Sequence, residues 1–257
     1  MTVNRLLSLS TLTAAALASL VMFCWPLFVA AKSTDEGLLA QSVFIGLMPV
    51  ILVVVLVEVS SGGLGSKQLA VLGVLIALNA VVRVLGAGTA GIETAFFLII
   101  IGAFVFGSGF GFILGSSSLL VSALLVGGIG PWLPFQMMGA GLIGLGAGLL
   151  PKSSKRWLQL LPLMAYAIFA SYVYGSLMTM WNWPFLAGAD GSLAYVAGAP
   201  LGDNLTRFFQ YELVTGGLLW DTGRAVTTAT LIALTGPALL ATLRRAAGRA
   251  GIVKSGI

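Results

Sequence analysis

The sequence predicts an all-α, polytopic membrane protein that forms a bundle of eight transmembrane helices. Hydrophobic residues make up 58% of the 257 positions, and Asp, Glu, Lys and Arg together only 8%, whereas a soluble domain has about 25% charged residues. The uncharged runs approach the roughly 20 residues that a helix needs to cross a hydrocarbon core of about 30 Å. The chain also contains 34 glycines, which let membrane helices approach closely. This composition excludes a water-soluble globular protein.

Gly, Pro and charged residues divide the apolar runs into eight predicted spans. The predicted spans cover residues 6–31, 42–57, 68–85, 92–106, 110–126, 132–150, 157–181 and 213–243. The fourth and fifth spans are separated at Gly107-Ser108-Gly109, because two glycines around a serine suit a tight turn.

The first span allows a second interpretation. Arg5, the apolar run after it and the small residues at 29–31 resemble a cleavable signal peptide, which would leave seven spans. The apolar run is longer than the usual signal core of about 7–15 residues, and it contains Trp25-Pro26. Both features favour a retained helix.

The positions of Lys and Arg predict the orientation, because these residues gather in cytoplasmic loops. With the N-terminus inside the cell, the inner cations are Arg5, Lys67, Lys152, Lys155, Arg156, Arg244, Arg245, Arg249 and Lys254. The segments then placed outside are residues 32–36, 83–93, 127–131 and a long loop at 182–212. We therefore expect a multi-pass protein with both termini in the cytoplasm.

Composition excludes several kinds of chemistry. The chain has no histidine and one cysteine, Cys24, so it cannot form a Ser-His-Asp triad, an HExxH zinc site or an internal disulfide. It also lacks the phosphate-binding GxxxxGKS or GxxxxGKT motif, so it has no ATPase of its own. The net charge of +5 is explained by cytoplasmic anchors rather than by nucleic-acid binding. We predict a non-catalytic protein with no metal site and no covalently bound cofactor.

The few polar side chains of the spans gather near the predicted outer ends, and a charge at membrane depth is a functional hypothesis by default. Asn79 and Arg83 are four residues apart and share a helical face, and Asp221 and Arg224, three apart, can pair. With the aromatic residues beside them, they predict an outward-facing site for a small amphipathic ligand. The predicted substrate-binding residues are Asn79, Arg83, Glu93, Trp132, Phe135, Gln136, Trp181, Trp183, Asp221 and Arg224.

Structural roles are open for several of these residues. Asp221 and Arg224 can be a purely structural ion pair, and Arg83 can extend its charge to the membrane interface. Trp181 and Trp183 can belong to the aromatic belt that membrane proteins place at the lipid headgroups.

The third span also carries a stripe of small residues, Ala70, Gly73, Ala77 and Ala80, at helical spacing. Their mean direction is about 120° from that of Asn79 and Arg83, at about 100° per residue. Small faces let helices approach closely. The stripe therefore predicts either a docking face for a partner subunit or packing within the chain.

From residue 68 onward, the order of features resembles the substrate-binding S components of energy-coupling factor (ECF) transporters. The resemblance lies in AVLGVLIALNAVVRVLG (residues 70–86), FVFGSGFGFILGSSSLLVSALLVGGIGPWLPFQMMGAGLIGLGAGLLP (residues 104–151) and WDTGRAVTTATLIALTGPALLATLRRA (residues 220–246). A turn rich in Gly and Phe, a Ser/Gly helix, GPWLPFQM and a glycine helix ending in Leu-Pro resemble actinobacterial S components, among them relatives of the cobalamin-type group.

The resemblance implies a six-helix core at residues 68–257, preceded by two additional transmembrane helices at residues 1–67. In this family the loops after core helices one, three and five close over a vitamin-like ligand from outside. Here those loops would be residues 86–91, 127–131 and 182–212. The family's first core helix contacts the membrane coupling subunit through a small-residue face, which here corresponds to Gly73 and Ala77.

The implied function is that of a substrate-binding subunit in the plasma membrane of a bacterium. It would capture a vitamin or cofactor precursor, with cobalamin or another corrinoid as the leading candidate, and two ATPase subunits would supply energy through the coupling subunit. The alternative from the residues is a self-contained secondary transporter of a small metabolite, in which Glu93 or Asp221 binds a proton or ion.

Overall fold

The computed structural model describes residues 13–14, 16–28, 34–61, 64–86, 91–153, 157–186 and 191–249. These residues form α1 (residues 13–14 and 16–23), α2 (Thr34–Ser61), α3 (Ser66–Gly86), α4 (Phe96–Phe106), α5 (Ser108–Val126), α6 (Leu133–Ala147), α7 (Leu160–Met180), α8 (Leu201–Val214) and α9 (Gly217–Arg249). Short 3-10 turns lie at Trp25–Leu27, Trp157–Gln159 and Trp183–Phe185. The described part of the chain contains no strand, as the all-α prediction requires.

Helix α4 forms the centre of the bundle. All its residues except Phe106 are buried, and it packs against α3, α5, α6, α7 and α9. A helix that is apolar on every side is stable only when neighbours surround it. With 11 residues, α4 is about 16 Å long at about 1.5 Å per residue, so it is shorter than the hydrocarbon core.

Glycines hold α5 and α6 in close contact. A Cβ atom at Gly115 would lie 2.2 Å from the carbonyl oxygen of Ala140, and a Cβ at Gly144 would lie 2.0 Å from that of Gly111. No other residue type fits these positions without separating the two backbones. The glycine content of the sequence therefore corresponds to helix packing of the kind that membrane proteins use.

The predicted break inside the long apolar run is present at Gly107, but Ser108 and Gly109 belong to α5 and not to a turn. Gly107 has φ of 101° and separates α4 from α5, a backbone conformation that favours glycine.

Four helices are long and apolar enough to cross a membrane, namely α3, α5, α7 and α9. Helices α4 and α6 and the 45–57 part of α2 are shorter apolar segments. Every predicted span from the second onward coincides largely with an observed helix. Residues 1–12, 15 and 29–31 of the first predicted span lie outside the described residues, and the count of eight spans stays a prediction.

The long outer loop predicted at residues 182–212 contains a helix. Helix α8 was not predicted because its charged residues lower its hydropathy below that of a span. Its buried residues Asn204, Phe208, Tyr211 and Glu212 nevertheless follow the i, i+4, i+7, i+8 spacing of an amphipathic helix. Helix α9 accordingly begins at Gly217 rather than at 213, after a break at Gly216, which has φ of 84°.

Helix α2 likewise begins earlier than predicted. It starts at Thr34, inside the segment 32–36 that was predicted to be an outer loop. Asp35 and Glu36 fall within the helix, and Lys32 lies outside the described residues.

The two ends of the bundle differ in chemistry. At one end, Lys67 of α3 donates a hydrogen bond to the carbonyl oxygen of Arg249 at 3.2 Å, and Arg244 donates one to Gln159. The other end, here called the polar end, is formed by the C-terminal ends of α3, α5 and α7 and the N-terminal ends of α4, α6 and α9. Lys155, Arg156 and Lys254 lie outside the described residues.

Candidate functional site

A buried ion pair lies at the start of α9. Asp221 and Arg224 are in direct contact, and both are buried. The guanidinium of Arg224 also donates to the carbonyl oxygen of Ser171 at 3.2 Å. It lies over the rings of Tyr174 and Phe96, 5.2 and 5.9 Å from their centroids, where the ring quadrupoles attract a cation. The predicted pairing of these two residues is confirmed.

Glycine at position 175 makes room for this pair. A Cβ atom there would lie 1.9 Å from Oδ1 of Asp221. The carboxylate therefore rests directly on the backbone of α7, and α7 and α9 pack closely along their length. Sequence reasoning did not single out Gly175, because one glycine among 34 carries no pairing information.

Glu212 is a buried carboxylate that the sequence analysis assigned to the end of the outer loop and not to the site. It is 2% exposed, and neither carboxylate oxygen has a hydrogen-bond partner of accepted geometry among the described residues. Burial raises the pKa of Glu212, while the nearby Thr179 side chain and the charge of Arg224 act in the opposite direction. A sequence signal did exist: Glu212 continues the i, i+4, i+7, i+8 spacing set by Asn204, Phe208 and Tyr211 on one face of α8.

Asn79 and Arg83 lie on the part of α3 that reaches the polar end. Asn79 is fully buried, and neither its amide nitrogen nor its oxygen has a hydrogen-bond partner among the described residues. Arg83 donates to the hydroxyl of Ser122 on α5 at 2.8 Å. The Arg83 guanidinium therefore bridges α3 and α5. The sequence alone did not reveal this contact.

The segment between α3 and α4 contacts both α3 and α9 at the polar end. Thr94 donates to the carbonyl oxygen of Val82 at 2.6 Å, and Glu93 accepts a hydrogen bond from the backbone of Ala95 at 3.2 Å. Gly91, with φ of 76°, lies so close to α9 that its Cβ would be 2.2 Å from the carbonyl oxygen of Trp220. Residues 87–90 of this predicted loop lie outside the described residues.

An aromatic cluster lies beside the polar residues. The rings of Phe135 and Trp181 are stacked with centroids 4.2 Å apart, and Phe23 of α1 meets Phe135 edge-on at 5.4 Å. Trp25 stacks on Phe185 at 6.0 Å and donates its indole N–H to the carbonyl oxygen of Trp181 at 2.7 Å. The sequence analysis predicted Phe135 and Trp181 as site residues but not the contribution of the N-terminal segment.

Trp183 belongs to a second cluster, which organises the segment after α7. Its ring meets Tyr195 at 5.7 Å and Phe208 at 5.3 Å, and its indole N–H donates to the carbonyl oxygen of Leu193 at 3.2 Å. It is fully buried among these residues. This burial does not match the aromatic-belt interpretation of Trp183, which places the ring at lipid headgroups.

The other predicted site residues are more accessible. Trp132 is 47% exposed, and its ring packs over Gly130, where a Cβ would be 2.5 Å from the ring. Gln136 lies one turn later in α6 and is half-buried.

Three of the four small residues on α3 form an exposed face. Ala70, Gly73 and Ala77 are exposed, whereas Ala80 is buried within the chain. A Cβ at Gly73 would meet no atom within 4 Å. Exposed apolar side chains flank this surface, among them Leu69, Val74, Leu78 and Val81.

The polar end therefore brings Arg83 and Glu93, from around the α3–α4 segment, near the ion pair of α9. Tyr174 lies within electrostatic range of Arg224, Glu93 and Arg83, so residues from α3, α7, α9 and the start of α4 share one region. The described residues include no group of three Cys, Asp or Glu side chains that could hold a metal ion. This arrangement provides buried hydrogen-bonding groups and aromatic faces, which suit binding of an organic ligand.

Comparison with known proteins gives one match. The family model described as "ECF transporter, substrate-specific component" matches residues 67–253. No curated protein and no solved structure matches the chain.

Proposed function

The chain belongs to the substrate-specific components of ECF transporters, and from this premise we propose that it captures a vitamin or cofactor precursor at its polar end for uptake into a bacterial cell. Membership of the family implies a substrate-binding subunit of an ECF importer in the plasma membrane. The observation that carries the proposal is the coincidence of this match with buried, unpaired polar atoms at the polar end. Such atoms cost free energy unless a ligand or water completes their hydrogen bonds.

The proposed binding site uses the predicted residues together with those that the structure adds. Asn79, Arg83 and the Asp221–Arg224 pair would supply orientation through hydrogen bonds. Phe135, Trp181 and the exposed Trp132 would supply apolar contact. A few fixed polar groups within aromatic walls are typical of small-molecule sites.

The family also implies partnership with an ECF transmembrane subunit and ATPase subunits. We propose that the exposed face of Ala70, Gly73 and Ala77 is where the transmembrane subunit docks. Support comes from the absence of neighbouring atoms around Gly73, since small residues let another helix approach closely in a membrane. Ala80 is buried and would not take part.

Cobalamin or another corrinoid is the first substrate to test, because the sequence resembles the cobalamin-type group. Trp181, Trp183, Phe185 and Tyr195 were expected to line a wide mouth. In the structure their rings contact other aromatic rings of the chain, so a corrinoid would require these contacts to open. Thiamine precursors, riboflavin and queuosine precursors are smaller candidates.

The test is reconstitution of the full chain in proteoliposomes with and without an ECF module of one transmembrane subunit and two ATPases. Labelled cobalamin, riboflavin and thiamine serve as probes. We expect the chain alone to bind one of these probes, and accumulation to require both the module and ATP. Accumulation by the chain alone under a proton gradient would support the secondary transporter instead.

A further inference from the structure

Helix α8 has three different sides around its circumference, at about 100° per residue. The buried side faces the bundle and carries Asn204, Phe208, Tyr211 and Glu212. Beside it lie apolar side chains that are 41–63% exposed, namely Leu205, Phe209 and Leu213. The remaining side is polar and carries Asp203, Thr206, Arg207 and Gln210. Val214, the last residue of α8, also lies on this polar side.

The three apolar residues Leu205, Phe209 and Leu213, here called the α8 stripe, are four positions apart and form one line along the helix. They stay exposed although the bundle covers the side next to them. Water suits the polar side, but a continuous line of large apolar side chains usually marks an interaction surface. Helix α8 therefore offers one side to the protein, one to water and one to an apolar partner.

The helices on either side of α8 keep it at the polar end of the bundle. Helix α7 ends there and α9 begins there, so the chain between them makes no net crossing of the membrane. With 14 residues, α8 is about 21 Å long at about 1.5 Å per residue, which is too short to cross a hydrocarbon core of about 30 Å. Helix α8 therefore lies near one surface of the membrane.

The α8 stripe leads directly to the exposed apolar surface of α9. Leu213 ends the stripe, and after the break at Gly216 the next exposed apolar side chain is Leu219, in the first turn of α9. Helix α9 is long and apolar enough to cross a membrane. Trp220, the next residue, is also exposed, and an exposed tryptophan at the end of a span is typical of the lipid headgroup level. Helix α8 therefore ends close to the level at which the bilayer begins.

We propose that α8 is an interfacial helix whose stripe inserts into the phospholipid bilayer while its polar side stays in water. This is how amphipathic helices bind to membrane surfaces. The polar side carries one acid and one base, Asp203 and Arg207, so insertion depends on apolar contact and needs no anionic lipid. Because Phe208 of α8 packs on Trp183, the bilayer holds the segment after α7 in place through α8.

The experiment attaches a nitroxide spin label to single cysteines of the full chain, reconstituted in phosphatidylcholine vesicles. Cys24, the one cysteine of the chain, is first replaced by serine. Leu205→Cys and Phe209→Cys report on the α8 stripe. Thr206→Cys and Gln210→Cys, at the adjacent exposed positions of the polar side, are the matched controls. Power saturation compares the collisions of each label with oxygen, which concentrates in lipid, and with a nickel chelate, which stays in water.

We expect the labels at positions 205 and 209 to collide mainly with oxygen, and those at 206 and 210 mainly with the chelate. Equal access of the chelate to all four labels would place the α8 stripe in water and overturn the inference. Labels at 205 and 209 that meet neither reagent would show that a second copy of the chain covers the stripe, which would overturn it as well.

A second measurement needs no label. Phe209→Asp places a charge on the α8 stripe, and Gln210→Asp places the same charge on the polar side. In the same vesicles we expect Phe209→Asp to melt about 2–4 °C lower than Gln210→Asp, because a charge is costly inside lipid. Equal melting temperatures would contradict insertion of the stripe. Neither measurement involves a substrate or the ECF module, so its failure would leave the proposed function intact.

Discussion

At the residue scale, glycines determine where charge can be buried. The ion pair of Asp221 and Arg224 is removed from water, and a buried pair is stable only when its geometry is good and its remaining groups are hydrogen-bonded. Here Ser171 accepts one hydrogen bond from the guanidinium, and Gly175 leaves space for the carboxylate, whereas Oδ2 of Asp221 and Nε of Arg224 have no partner among the described residues. The backbone of α7 therefore contacts both members of the pair, through the carbonyl of Ser171 and through Gly175.

This arrangement predicts that Gly175→Ala destabilises the protein. The added methyl group would overlap the carboxylate of Asp221, and overpacking of a filled site typically costs about 1–3 kcal/mol. Thermal unfolding of the full chain in detergent measures the effect.

The control for this prediction is Gly73→Ala on α3. Its new methyl group would meet no atom within 4 Å, and alanine is favoured over glycine inside a helix. Equal melting temperatures for the two variants would show that Asp221 does not rest on α7 as described.

At the element scale, the N-terminal segment is part of the bundle and not an appendage to it. The family model begins at residue 67, yet Phe23 and Trp25 are buried against residues of the matched core. They cover the stacked rings of Phe135 and Trp181 at the polar end. If the proposed site uses these rings, access to them depends on the segment that precedes the core.

We predict that Trp25→Ala lowers stability by about 3–5 kcal/mol, the usual cost of removing a large buried aromatic side chain. The substitution removes the stacking with Phe185 and the hydrogen bond to Trp181. Unfolding in detergent, followed by tryptophan fluorescence, measures the loss.

Trp220→Ala is the matched control, because the Trp220 side chain is 41% exposed and its change should cost much less. A Trp25→Ala protein that unfolds at the same temperature as Trp220→Ala would contradict the packing of the N-terminal segment.

At the scale of the whole molecule, the polar end and the exposed small-residue face lie on different surfaces of α3. Asn79 is buried toward the bundle, whereas Ala70, Gly73 and Ala77 face outward. The proposed substrate contact at Asn79 and the proposed docking face therefore lie on different sides of one helix. This separation predicts that binding and transport can be disrupted independently.

Gly73→Leu should abolish ATP-dependent uptake and assembly with the transmembrane subunit, because a large side chain would prevent close helix contact. Substrate affinity of the isolated chain should stay within about twofold, since residue 73 has no neighbouring atoms in the chain. Co-purification with the ECF module and uptake in proteoliposomes measure the two properties.

Ala165→Leu, at an exposed position of α7, is the control for added bulk on a lipid-facing surface. If Gly73→Leu assembles and transports as well as Ala165→Leu does, the proposed docking face is wrong.

Local features of the sequence were sufficient to predict much of the helical architecture. The length of the apolar runs located the helices, and the glycine at 107 located the break between α4 and α5, because chain length and backbone freedom are local properties. The spacing of Asp221 and Arg224 likewise predicted their pairing. Helix α8 was missed because a span search measures hydropathy, whereas amphipathic packing depends on which neighbours cover the apolar face.

Only the tertiary structure decided which polar groups have partners. The sequence could not show that Arg83 reaches Ser122, that Gly175 receives Asp221, or that Glu212 is buried without a matching cation. The first two are contacts between residues 39 and 46 positions apart, and all three depend on how closely the helices approach. By itself, the sequence determined a helical membrane protein, and it left both a partner-dependent subunit and a self-contained transporter open. The packing of α7, α8 and α9 decided where the buried carboxylates lie, because only close approach of these helices removes Asp221 and Glu212 from water.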